Sequence, residues 1–137
     1  MIINRYSTAA IFSILCICSN FSKAEEIKDM YLKIDSQRQT CMLLETGSEI
    51  KKDIITLSGK SAYKDVDSCT LAIPKSVFLS KFRFCALSEV ATFGKQNYTN
   101  CAVRSVGKGI PEFPDEIEFT NDFPGGHGSC GWVCLTR

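Results

Sequence analysis

Over most of the chain, hydrophobic residues occur in short runs that are broken by Gly, Pro, Asn and Asp. In residues 69–73 the apolar Leu71 and Ile73 alternate with Thr70 and Ala72, which is the period of two expected for a strand with one buried face. No long apolar pattern with a helical period of 3.6 residues follows residue 41. The pattern therefore predicts closely spaced β-strands.

The strands are predicted at residues 54–57, 69–73, 77–84, 101–106, 116–120 and 131–135. Pro74 ends one of these runs, Gly107 and Gly109 end another, and residues 124–126 (Pro-Gly-Gly) form a flexible loop before the last strand. Several short strands at this spacing favour an all-β sandwich or barrel.

The N-terminal segment predicts a secretory signal peptide. Arg5 precedes an apolar stretch at residues 9–18, and the small residues Ser22 and Ala24 follow it. This stretch is shorter than the roughly 20 residues that span a bilayer, so we expect cleavage after Ala24, secretion and no membrane anchor. Residues 1–24 are thus assigned as signal, 25–40 as a polar N-terminal arm with one helical turn near residues 30–34, and 41–137 as the domain.

Residues 25–137 are enough for one domain with its own core, but too few to predict two. The whole chain has a formal net charge of +1, and removal of Arg5 and Lys23 brings the remainder close to neutral. We therefore expect no nucleic-acid partner, because such proteins present a strongly basic surface.

Six of the eight cysteines remain after the predicted cleavage: Cys41, Cys69, Cys85, Cys101, Cys130 and Cys134. An even number of cysteines in a secreted chain indicates three disulfides. A zinc site is disfavoured because no CxxC pair is present and His127 is the single histidine. No cofactor is expected.

Two parts of the chain resemble the CUB family. The first is Cys41, Tyr63, residues 69–73 and residues 77–84. The second is residues 117–122 (Ile-Glu-Phe-Thr-Asn-Asp) followed by Gly131-Trp132-Val133-Cys134. The resemblance implies an antiparallel jelly-roll β-sandwich with disulfides. The size and layout are also similar to the venom CUB proteins of predatory bugs, which implies a toxin or other venom component.

The CUB resemblance implies a disulfide between Cys41 and Cys69, the first two cysteines of the family pattern. The other four cysteines depart from that pattern. Cys85 with Cys101 plus Cys130 with Cys134, or crossed pairs that tie the last strand back, both stay open.

The resemblance also locates a calcium site, for which many CUB domains use three acidic residues. The matching positions here are Glu89, Arg104 and Asp122. A cation at the middle position supplies no oxygen ligand and repels the ion, so we predict that the metal site is lost. Either Arg104 lies between Glu89 and Asp122 in place of the metal, or the three are unrelated surface charges.

A catalytic site is conceivable only around His127, which lies close to Ser129 and Cys130. A nucleophile elbow would require Gly at position 127, and Cys130 is expected to be oxidised. His127 is instead expected to be exposed in a glycine-rich loop, and no catalytic residue is predicted.

Asn97-Tyr98-Thr99 is an N-glycosylation sequon in a polar stretch, which would make the chain a glycoprotein. Taken together, the sequence predicts a secreted CUB-type module that binds an extracellular protein or glycan and is not an enzyme. The alternatives are a seminal, immune or matrix interaction protein, or a hydrolase or hydrolase inhibitor that uses the loop around His127.

Overall fold

The computed structural model describes residues 24–47, 54–94, 98–107 and 115–137. Its elements are β1 (Ile27–Asp35), β2 (Thr40–Glu45), β3 (Thr56–Leu57), β4 (Lys60–Asp65), β5 (Ser68–Pro74), α1 (Lys75–Lys81), β6 (Phe82–Phe93), β7 (Asn100–Val106), β8 (Glu116–Asp122) and β9 (His127–Thr136). The structure is mostly β-strand, in agreement with the predicted all-β class. The predicted signal peptide, apart from Ala24, lies outside the described residues.

The strands form two antiparallel sheets. The five-stranded sheet has the order β3-β2-β1-β9-β6, and the four-stranded sheet has the order β4-β5-β8-β7. Phe119 of β8 and Trp132 of β9 meet between the sheets with ring centroids 5.2 Å apart and an edge-to-face angle of 89°. Both side chains are fully buried, so the core lies between the two sheets.

Three disulfides hold this arrangement. Cys41–Cys69 joins β2 to β5 and Cys101–Cys130 joins β7 to β9, so both connect one sheet to the other. Cys85–Cys134 joins the neighbouring strands β6 and β9. The first bond is the pair that the CUB resemblance implies, and the other two are the crossed pairs that tie the last strand back.

The prediction that residues 25–40 form an arm separate from the domain is wrong. Within residues 25–40 the chain forms strand β1, without the helical turn expected near residues 30–34. Strand β1 lies between β2 and β9, and its side chains Met30 and Leu32 are buried. The polar residues in this segment alternate with these two apolar residues, which is a half-buried strand pattern that the sequence analysis overlooked.

The predicted strand at residues 77–84 is wrong over its first part, because α1 spans Lys75–Lys81. Pro74 precedes the helix with φ −53°, which suits a helix start. Phe78 on α1 packs against Phe82 and Phe119 at centroid distances of 5.8 and 6.2 Å. A short apolar run does not distinguish a buried helix from a strand by periodicity alone.

The other predicted strands were found with shifted ends, and residues 54–57 were reduced to the two-residue strand β3. Strands β2 and β4 were not predicted, and β6 continues to Phe93 instead of ending at residue 84. The β1–β2 turn is stabilised by Asp35, whose Oδ1 accepts hydrogen bonds from the backbone N–H groups of Gln37 and Arg38.

Candidate binding cleft

The structure does not bring the three calcium-site positions together. Arg104 on β7 donates to Glu118 Oε1 through Nε at 3.0 Å and through a terminal nitrogen at 2.6 Å. Asp122 accepts from the Tyr98 hydroxyl at 3.2 Å. Glu89 lies on β6 in the other sheet. The hypothesis that Arg104 lies between Glu89 and Asp122 is therefore wrong, because the β7–β8 register places Arg104 directly opposite Glu118.

No group of three or more His, Cys, Asp or Glu side chains suited to hold a metal ion occurs within the described part of the chain. Asp122 is also 3.5 Å from the Lys64 ammonium group. The positive charge of this lysine repels a metal cation and disfavours metal binding at the carboxylate.

His127 is more constrained than the sequence analysis expected. It is the first residue of β9, and its Nδ1 lies 2.5 Å from Asp67 Oδ2 in the turn between β4 and β5. Its side chain is mostly exposed, as predicted. Among the hydrogen bonds found between described residues, none joins His127 to Ser129.

Asn121 supports the His127–Asp67 pair from inside the fold. Its Nδ2 donates to the Asp67 carbonyl at 2.8 Å, and its Oδ1 accepts from the Cys130 backbone N–H at 2.7 Å. This buried amide therefore fixes the β4–β5 turn to the start of β9, across the two sheets.

A cleft of 560 Å³ lies on the five-stranded sheet around Gly131 of β9. Gly131 pairs with Tyr31 of β1 on one side and with Glu89 of β6 on the other. Because Gly131 has no side chain, the floor between these two neighbours is open. A Cβ atom at this position would lie 3.3 Å from the Glu89 Cβ, which is tighter than an ordinary contact. We name this feature the Gly131 cleft; the polar residues among those that line it are Asp29, Tyr31, Thr46, Ser88, Glu89 and Ser129.

The two carboxylates of the Gly131 cleft differ from most others in the protein. Eight carboxylates lie within 4.0 Å of a basic nitrogen: those of Glu25, Glu26, Asp35, Glu45, Asp67, Asp115, Glu118 and Asp122. Asp29 and Glu89 have no such partner among the residues that the structure describes. The cleft therefore presents two exposed negative charges that no basic side chain in the described part of the chain neutralises.

A pKa shift occurs close to the cleft, at Lys28 on β1. Its ammonium group lies 2.8 Å from Glu26 and 3.5 Å from the buried Glu45. The hydrogen bond to Glu26 raises the pKa of Lys28 above its ordinary value of 10.5, and the charge of Glu45 adds to this rise. Lys28 therefore stays protonated and neutralises the buried Glu45. Its charge stabilises the fold and does not contribute to the Gly131 cleft.

A second recess of 330 Å³ lies between α1, β6 and β7. Its three basic side chains are Lys75, Arg83 and Arg104. Each is within 4.0 Å of a carboxylate, namely Asp115, Glu25 and Glu118 respectively. Because these charges are already neutralised, this recess is a weaker candidate for a charged ligand than the Gly131 cleft.

The predicted glycosylation site at Asn97 lies outside the described residues. Among the helices that the structure describes, none is long and apolar enough to cross a membrane.

Comparison of the chain with protein-family models, curated proteins and solved structures finds no match. What the structure does define is a small protein of two antiparallel sheets with three disulfides.

Two polar residues of the Gly131 cleft, Glu89 and Ser129, were predicted from the sequence in other roles, Glu89 at a calcium-site position and Ser129 beside the conceivable catalytic His127. Asp29 was assigned to the arm, and Gly131 was noted only for its resemblance to the CUB closing segment. Alternation of Asp29 and Tyr31 with the apolar Met30 and Leu32 was a signal that β1 has an outer face. Nothing in the sequence showed that this face lies beside Gly131.

Proposed function

We propose that this chain is a secreted, non-enzymatic binding module of the CUB type, and that its Gly131 cleft receives a basic side chain of an extracellular protein. The observation that carries the proposal is the pair of exposed carboxylates, Asp29 and Glu89, that have no basic partner within the described residues. A ligand ammonium or guanidinium group would complete the charge balance in the cleft.

Several features support the CUB part of the proposal. The chain has two antiparallel sheets, and the bond between Cys41 and Cys69 matches the first pair of the family pattern. Three disulfides in a small domain are typical of proteins that work in an oxidising extracellular environment. The apolar segment near the N-terminus, with small residues before the predicted cleavage site, supports secretion.

The binding proposal is tested by capture from extracellular fluid with immobilised protein and quantitative mass spectrometry. The double variant Asp29→Asn, Glu89→Gln removes both charges with little change in shape, and we expect it to retain the partner about tenfold less. The matched control is Glu116→Gln on β8, because Glu116 also has no basic partner among the described residues.

Equal recovery by wild type and the double variant would contradict the role of the cleft. Deglycosylation of the captured partner separates the two kinds of ligand. Binding that survives deglycosylation supports a protein contact, whereas binding that is lost shows that the ligand is a glycan.

A separate proposal concerns the group of secreted CUB modules to which the protein belongs. The resemblance to the venom proteins of predatory bugs supports a role as a venom component. Proteomics of secretions tests this: detection in venom supports that role, and detection only in seminal, immune or matrix material favours the alternative of another extracellular interaction protein.

A hydrolase or hydrolase inhibitor is the second candidate, because His127 contacts Asp67 and Ser129 is close in sequence. The lack of a hydrogen bond between Ser129 and His127 weighs against catalysis. Alanine substitution of His127 and Ser129, measured against ester and peptide substrates, tests it. Activity in wild type that both substitutions abolish would replace the binding proposal.

A further inference from the structure

Strand β6 forms an edge of the five-stranded sheet and is unusually apolar for such a position. Within the described residues it pairs with β9 alone. Residues 84–93 contain one charged side chain, Glu89, and no proline. Four large apolar side chains along them are between 43 and 66% exposed: Phe84, Leu87, Val90 and Phe93. Long, apolar, unprotected edges are templates for pairing with another strand. We name residues 84–93 the β6 edge.

The β6 edge reads nearly the same in both directions. Its sequence, Phe-Cys-Ala-Leu-Ser-Glu-Val-Ala-Thr-Phe, has similar residues at equal distances from its centre between Ser88 and Glu89. Two antiparallel copies aligned on this centre would pair Phe84 with Phe93, Ala86 with Ala91, and Leu87 with Val90. Matched apolar pairs of this kind stabilise antiparallel strands.

The register with β9 shows which face of the sheet each residue occupies. Leu87 and Val90 are opposite Trp132 and Cys130, which are buried in the core. Phe84, Ala86, Ala91 and Phe93 are opposite Leu135, Val133, Ser129 and His127, which alternate with those buried residues. Leu87 and Val90 therefore share the inner face, and the two phenylalanines share the outer face.

This distribution depends on an irregularity at Ser88. The register with β9 shifts between Leu87 and Glu89, so one extra residue is inserted there. In a regular strand Leu87 and Val90, three positions apart, would lie on opposite faces. Because of the extra residue, the two residues of each pair in the proposed alignment lie on the same face of the sheet. Residues directly opposite each other in an antiparallel sheet must share a face.

The charges also fit this alignment. Glu89 would face Ser88 of the second copy, so the single charge of the β6 edge would not be directly opposite its own equivalent. Like charges directly opposite each other destabilise strand pairs, and this register avoids that contact.

We propose that two copies of the chain associate through their β6 edges, antiparallel and around a two-fold axis between Ser88 and Glu89. The two five-stranded sheets then become one continuous ten-stranded sheet. Such an interface is self-complementary, as two-fold symmetry requires. The dimer does not require the proposed ligand of the Gly131 cleft, although Ser88 and Glu89 belong to both surfaces.

The dimer is tested first by sedimentation velocity over a concentration series. The whole chain is expressed in a eukaryotic secretory host and purified under non-reducing conditions. We expect a reversible monomer–dimer equilibrium. A monomer at every concentration would overturn the proposal, even if capture experiments supported the cleft.

Two charge variants then test the alignment. Leu87→Lys and Val90→Glu each place two unpaired charges in the dimer, one on each copy. We expect each variant alone to weaken association by at least about tenfold. The control Val66→Lys changes an exposed valine in the β4–β5 turn and should leave association unchanged.

Mixing the two variants is the decisive step. In the mixed dimer the new ammonium group at position 87 faces the new carboxylate at position 90, while the native Val90 and Leu87 face each other at the symmetric position. We expect the mixture to recover dimers that neither variant forms alone. Because an unfolded variant does not regain association on mixing, this result separates loss of contact from loss of folding. Dimers that resist both single substitutions, or variants that fail to recover on mixing, would overturn the proposed register.

Discussion

At the residue scale, one buried amide contributes to the connection between the two sheets at the His127 end, beside the Cys101–Cys130 disulfide. Asn121 is 3% exposed and satisfies both the Asp67 carbonyl and the Cys130 backbone N–H. The same amide keeps the turn that holds Asp67 close to His127. A polar side chain with these two roles is unlike a surface asparagine, although the sequence analysis treated it only as part of a family motif.

We expect Asn121→Ala to lower the free energy of unfolding by about 2–4 kcal/mol, because a buried donor and a buried acceptor lose their partner. Urea unfolding followed by circular dichroism measures the change. Asn100→Ala, at an exposed position of β7, is the matched control and should change stability by less than about 0.5 kcal/mol. Equal effects of the two substitutions would show that the Asn121 bridge does not form.

Contacts between individual residues could be predicted from the sequence only in part. The bond between Cys41 and Cys69 was available from the family pattern. The partner of Arg104 was not, because Glu118 becomes its neighbour only through the register between β7 and β8. A register is a property of the whole strand pair, and the spacing of three candidate ligands does not contain it.

At the scale of elements, the sequence predicted strands well where one face is apolar and regular, as in β5, where Cys69, Leu71 and Ile73 are buried. It failed at β1 and α1 for opposite reasons. Strand β1 has too many charged residues to stand out as a strand, and α1 is too short to show a helical period. Packing in the tertiary structure decides both segments.

The correction at β1 has a direct test, because an arm outside the domain would tolerate substitution. We expect Met30→Ala to cost about 2–5 kcal/mol, the usual range for truncating a fully buried side chain. Lys33→Ala, on the exposed face of the same strand, should cost less than about 0.5 kcal/mol. Thermal and urea unfolding give both values. A Met30→Ala variant with the same free energy of unfolding as the wild type would contradict the burial of Met30 in the sheet and support the predicted arm.

At the scale of the whole molecule, the disulfides determine how the two sheets remain together. Cys41–Cys69 and Cys101–Cys130 cross between the sheets at separate places, whereas Cys85–Cys134 strengthens the attachment of β6 to β9. The pairing of the last four cysteines was left open by the sequence, because it depends on which strands lie opposite each other. Peptide mapping under non-reducing conditions identifies the three bonds.

Removal of the Cys101–Cys130 bond measures its share of the stability. These residues are 29 positions apart, and the chain-entropy model gives about 3–4 kcal/mol for closing such a loop. We expect the double variant Cys101→Ala, Cys130→Ala to lose roughly that amount in urea unfolding. A loss below about 1 kcal/mol, or a map in which Cys101 pairs elsewhere, would contradict the observed connection.

The central claim is that the Gly131 cleft binds a basic side chain, and a nuclear magnetic resonance titration tests it most directly. Isotope-labelled protein is titrated with N-acetyl-lysine methylamide and, in parallel, with the uncharged N-acetyl-norleucine methylamide. We expect saturable shifts of the Gly131 and Glu89 amide signals with the lysine compound alone, in the millimolar range for so small a probe, and their loss in the double variant Asp29→Asn, Glu89→Gln. Identical shifts with both compounds, or no shift at these residues, would contradict the claim.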